Sequence, residues 1–179
     1  MKNSILVFFI AVTAFTFQDV YGQGFPDRDV SPMDLAIARP DNAAPLARVI
    51  YSRPQKRGRD IFGELVPYNK VWRTGANEAT ELTTYVPLMF GKTLLKPGTY
   101  TLYTIPREDE WTIIINSEIN AWGAFSYKKE KDVARIKVPC EQAAAPIESL
   151  SMIFKTDENK TTLMIGWDDH YVEIPFRIP

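Results

Sequence analysis

The chain has 179 residues, with 21 Lys and Arg against 22 Asp and Glu, one His and one Cys. That balance excludes the broad basic footprint of a nucleic-acid binder and the like-charge excess of a disordered acidic tail. One cysteine closes no intramolecular disulfide and builds no Cys-rich zinc site, and a chain of this length with 45% apolar residues suits one core rather than two.

In chain order, Lys2 is followed by the uncharged run Ile5 to Phe17, too short for a membrane span of about 20 apolar residues. Val20 and Gly22 then precede a cut ahead of Gln23. Residues 1–22 read as a cleaved signal peptide, so the protein is expected to be secreted or periplasmic, without a transmembrane anchor. Residues 23–45, punctuated by Pro26, Pro32, Pro40 and Pro45, read as an extended arm, and 46–179 as the folded domain.

Arg53, Lys56, Arg57 and Arg59 form a basic run. Lys56 and Arg57 read as a solvated loop, while Arg53 and Arg59 are candidates to hold an anion. From Gly58 to Trp72 strand alternation is lost. Ile61, Phe62, Leu65 and Val66 fit one or two helical turns ended by Pro67, so a short helical insertion is expected around 58–72 as a lid or site wall. Beyond Trp72 the apolar pattern has period two. Tyr100, Leu102 and Thr104 oppose Thr99, Thr101, Tyr103 and Ile105. Ala134, Ile136 and Val138 form another such face, as do Leu150, Met152 and Phe154, and Val172, Ile174 and Phe176. Turns are expected at Phe90-Gly91-Lys92, Lys96-Pro97-Gly98-Thr99, Arg107–Glu110 and Asp168-Asp169-His170. About nine strands result, and the fold expected is an all-β, single-domain sandwich of jelly-roll type.

The run Val71-Trp72-Arg73-Thr74-Gly75-Ala76-Asn77-Glu78-Ala79-Thr80 stands out together with several other segments of the chain. Those segments are Tyr51–Pro54, Gly58-Arg59, Ile61–Gly63, Leu65–Tyr68, Pro97–Tyr100, Ile105-Pro106, Trp111-Thr112, Trp122-Gly123 and Tyr127. Together they resemble a bacterial secreted family, the domain of unknown function 2911, over about residues 31–178. The resemblance implies a secreted all-β domain and brings no established activity. Asn69 stands where that family usually has Gly, and Asn is the next most tolerant residue for a left-handed turn.

The chemistry must come from the side chains. Arg73 offers a planar fork for a carboxylate, phosphate or sulfate; Asn77 a donor and an acceptor; Glu78 a base; Trp72 a flat face. With Arg53, Arg59 and Trp122 they are the candidate ligand-binding residues, for a small polar or anionic molecule, a saccharide among them. Two other readings stand beside this. One is a metal-independent hydrolase or lyase with Glu78 as acid/base and Arg73 as electrostatic stabiliser. The other is a structural envelope domain that binds a protein along a strand edge. Arg73 and Glu78 could equally form a structural pair. No catalytic nucleophile, metal set or cofactor motif is recognisable. Asp168, Asp169 and His170 read as a turn, Cys140 as an inert thiol, and the oligomeric state is open.

Overall fold

The computed structural model describes residues 24–41, 43–157 and 160–179. The expected signal peptide lies outside them. Among the described residues the protein is all-β, with nine strands: β1 (Met33–Ala38), β2 (Ala47–Ser52), β3 (Glu81–Thr84), β4 (Leu88–Phe90), β5 (Thr93–Leu95), β6 (Gly98–Ile105), β7 (Glu110–Asn116), β8 (Asp132–Thr156) and β9 (Lys160–Arg177). They form one antiparallel sheet in the order β1-β2-β3-β6-β7-β8-β9-β4-β5. No helix among the described residues is long and apolar enough to cross a membrane. Part of the stretch expected as an arm is itself a strand, β1.

The sheet is bent onto itself by its two longest strands. β8 pairs with β7 through its first half and with β9 through its second, and its register shifts between Gln142 and Ile147 and again before Ser151. Such irregularities bend and twist a strand. The chain beyond β2 then meets the second half of β8: Leu150 N–H donates to Pro54 O (2.9 Å) and Lys56 N–H to Glu148 O (2.7 Å). Met152 N–H also donates to the Tyr51 hydroxyl (3.0 Å).

The main core fills the space this curvature encloses. Val49, Leu82, Leu102 and Ile113 from one stretch of the sheet join Leu150, Leu163, Ile165, Val172 and Phe176 from the other, all essentially without exposure. Above them Phe62, Trp72, Trp111 and Trp167 form an aromatic cluster. The Trp72 and Trp167 rings stack at 6.0 Å and 17°, and Phe62 lies 5.0 Å from Trp111. β6 and β7 are covered on both faces. Tyr103 and Ile114 point away from the main core and pack under Ala121, Ala124 and Tyr127 of the 117–131 connection.

Two expectations need correction. Residues 58–72 hold no helix; the only helical turn among the described residues is Lys129–Lys131. Instead Val66 N–H donates to Ile61 O (2.8 Å), Gly63 N–H to Val66 O (3.0 Å), and Phe62 bridges Val66. Gly63 at φ 93 takes the left-handed path that turns the loop where a helix would continue. The turn expected at Asp168–His170 is not a break either. β9 runs through it, with Asp168 at φ 56 forming an irregularity within the strand.

Candidate functional site

Residues 72–80 leave the sheet and return to it. Trp72 exchanges backbone hydrogen bonds with Thr104 (2.7 and 3.0 Å), and Thr80 O accepts from Leu102 N–H (2.8 Å), so both ends of the segment are tied to β6. Thr80 N–H to Arg73 O (3.0 Å) closes the loop between them. Inside it, fully buried Thr74 donates to Thr104 Oγ1 (3.1 Å), Thr80 Oγ1 donates to Thr74 O (2.8 Å), and Trp72 Nε1 donates to Gly75 O (3.2 Å). Gly75 lies so close to β2 that a Cβ would stand 3.0 Å from Ser52 O. Thr74 at φ 57 and Asn77 at φ 55 are both left-handed without being glycine, and for a β-branched Thr this is strained backbone. Such strain concentrates at functional segments, where surrounding structure holds it.

A cavity of about 420 Å³ opens between this loop and the 58–72 loop. Its lining includes three cations, Arg57, Arg59 and Arg73, and the apolar Pro54, Leu65, Val66, Trp72 and Trp167. Val30, Ser31, Gln55, Gly75 and Ala76 complete the lining, which contains no carboxylate. Arg59 is held in place: Nε donates to Lys56 O (2.9 Å) and Nη2 to Gln55 O (2.5 Å). Arg57 Nε donates to Gln55 Oε1 (3.2 Å). Glu148 is beside Arg57, but it accepts the backbone N–H (2.8 Å).

Arg73 differs from both. Its guanidinium has no hydrogen-bond or ion-pair partner among the described residues, and its Nε is buried. Burial pushes its pKa below the usual arginine value, although a guanidinium remains charged at neutral pH. A cation taken partly out of water is stabilised by a counter-charge, and no side chain among the described residues supplies one to Arg73.

The other candidates fall into three groups. Trp72 and Arg59 line the same cavity as Arg73. Asn77, Glu78 and Trp122 line a separate hollow of about 250 Å³ with Asp29, Ser31 and Ser52, and the two spaces share only Ser31. Trp122 is 61% exposed there and bridges Glu78 through the backbone. Glu78 also lines a third hollow, with Glu81, whose carboxylate accepts from Asn120 N–H (3.0 Å). Arg53 lines none of these; it pairs with Asp34 (3.1 Å) and donates to Ser151 Oγ (2.9 Å), joining β1 and β8.

The pairing considered for Arg73 and Glu78 is not made, and the two face different hollows. Arg57, read from sequence as a solvated loop residue, is exposed as expected and also lines the cavity, whereas its neighbour Lys56 is part-buried and tied to Asp168. Leu65 belongs to the stretch expected as a site wall, whereas Trp167 was missed as a lining residue: its place in a strand signals packing, and nothing local signals that the packing borders a cavity.

Cys140 is half-buried, and burial pushes its thiol up to about 11. At neutral pH it holds its proton and is a poor nucleophile. Among the described residues no three His, Cys, Asp or Glu side chains converge as a metal site would require.

The family model described as protein of unknown function (DUF2911) matches residues 32–176. The chain belongs to that family. No curated protein and no solved structure matches it.

Proposed function

We propose that the protein is a non-catalytic binding domain that holds a small anionic molecule in the cavity between the 58–72 and 72–80 loops. One observation carries this reading: three guanidinium groups line the cavity, no carboxylate does, and Arg73 among them is unpartnered with a buried Nε. A guanidinium next to an anion makes charge-assisted, often bidentate hydrogen bonds, which stabilise binding and fix orientation together. A saccharide fits the reading where it bears an acidic group.

Within the same proposal, the protein is exported after cleavage between Gly22 and Gln23, and the bent sheet is a sandwich of jelly-roll type. The curvature at β8 and the junction of the 53–56 segment with β8 support that arrangement. Glu78 and Arg73 face separate hollows, which removes the geometric basis for their acting together on one substrate.

Calorimetric titration of the purified protein with phosphate, sulfate, succinate and glucuronate tests the binding, with glucose as the neutral control. Saturable heat with at least one anion and none with glucose is expected, and the heat should be weakened by Arg73→Gln. Equal binding of glucose, or silence with every anion, would remove the proposal.

A further inference from the structure

The same cavity carries information about which anion it holds, and this inference rests on the anion-binding reading. Of five N–H donors on a guanidinium, Arg73 has none engaged, Arg57 commits one and Arg59 two. About a dozen donors and three positive charges are therefore left around one space with no acidic side chain in its lining. A single carboxylate brings one negative charge and two oxygens, enough for one guanidinium fork. A phosphate monoester brings close to two negative charges at neutral pH and three terminal oxygens, so it can engage two or three forks at once.

The volume adds a second constraint. A bare phosphate ion would leave most of the roughly 420 Å³ unfilled and would leave Leu65, Val66, Pro54 and the Trp72–Trp167 pair without a contact. Pockets of this size typically enclose a whole organic ligand against mostly apolar walls, with a few polar groups fixing its direction. The lining holds both kinds of group, three arginines together with aliphatic and indole side chains.

We infer that the bound molecule is a small phosphate monoester, its phosphate held by Arg57, Arg59 and Arg73 and a compact apolar or ring-bearing group set against Leu65, Val66 and Trp72. No bond is made or broken in this role; the phosphate is the handle and the organic group supplies selectivity.

Four probes separate the parts of this inference in calorimetric titrations of the full chain: phenyl phosphate, inorganic phosphate, benzoate and phenol. Phenyl phosphate should bind at least tenfold tighter than inorganic phosphate and benzoate, with no measurable binding of phenol. Arg73→Gln should weaken phenyl phosphate at least tenfold, with far-ultraviolet circular dichroism and the unfolding midpoint confirming a folded variant. Leu65→Ser should weaken phenyl phosphate while leaving inorganic phosphate within about twofold.

Benzoate binding as tightly as phenyl phosphate would overturn the phosphate assignment and leave the anion site standing. Inorganic phosphate binding as tightly as phenyl phosphate would overturn the apolar half. An unchanged affinity in Arg73→Gln would overturn the placement. Should phenol match phenyl phosphate, or should succinate and all four probes be silent, the underlying proposal would fall as well.

Discussion

Two populations stand out among the cations of this protein. Arg135, Lys56 and Arg53 each meet a carboxylate: Arg135 Nε donates to Asp132 (2.6 Å), Lys56 pairs with Asp168, and Arg53 reaches Asp34 (3.1 Å). All three join segments that are distant in the chain or clamp a connection. Arg57, Arg59 and Arg73 meet no carboxylate through their guanidinium groups and line one cavity, Arg57 and Arg59 exposed and Arg73 part-buried. The comparison separates charges engaged in the scaffold from charges open to a ligand. A paired cation can be explained by folding, whereas a part-buried cation without a partner, as Arg73 is, opposes it.

The sharpest contrast comes from removing the acid of the first population. Asp132 accepts from Asn116 Nδ2 (2.8 Å), the Tyr127 hydroxyl (2.8 Å) and Arg135, and the Asn116 side chain is fully buried. Asp132→Ala is expected to lower unfolding free energy by on the order of 3 kcal/mol in urea titrations, because a buried donor loses its acceptor. Anion affinity at the cavity should not change. In the second population Arg73→Gln should do the reverse: affinity for phosphate falls about tenfold, and the unfolding midpoint stays level or rises. A loss of stability comparable to that of Asp132→Ala would merge the two populations.

Arg53→Met tests the exposed member of the paired set. Both partners are about two-fifths exposed, so the expected change in stability is within about 1 kcal/mol. The last test concerns Cys140, which belongs to neither population and has no such effect at neutral pH. Its thiol rises from 9.0 to about 11 in the folded protein, so the folded state keeps a proton that the unfolded chain releases. That contribution to stability is complete below about pH 9 and is lost as pH rises through about 11. Unfolding midpoints of Cys140→Ala should therefore fall less steeply over that range than wild type, and iodoacetamide should label the native thiol slowly at pH 7.5.

Much of the fold was legible because one-sided strands leave a period-two trace. Val172, Ile174 and Phe176 are buried as their alternation requires, and the β4–β5 tip lies at Gly91-Lys92. The lengths of β8 and β9 were not legible. Pro139, Pro146 and the Asp168-Asp169 pair look like stops, yet Pro139 pairs with Glu110, and the stretch around Pro146 is passed without a register partner on β9. A helix was expected over 58–72 because Ile61, Phe62, Leu65 and Val66 have helical spacing. Burial of Ile61 and Val66 within a turned loop satisfies the same spacing.

The segment 71–80 stood out in sequence, but its side chains divide among three hollows, and the left-handed backbone of Thr74 and Asn77 along it is not disclosed by residue identity alone. Asn69 was the more readable case, and it takes φ 61. The place of Arg57 on the cavity wall depends on how its loop is anchored to Glu148 and Gln55, contacts that are remote or side-chain specific.

The most direct test follows the arginine Nε–H signals by nuclear magnetic resonance while phosphate is added. The Arg73 signal should shift saturably, in step with those of Arg57 and Arg59, while that of Arg135, already bound to Asp132, stays in place. An Arg73 signal that does not move, or one that moves no more than Arg135, would contradict the assignment of the unpaired guanidinium groups to a ligand.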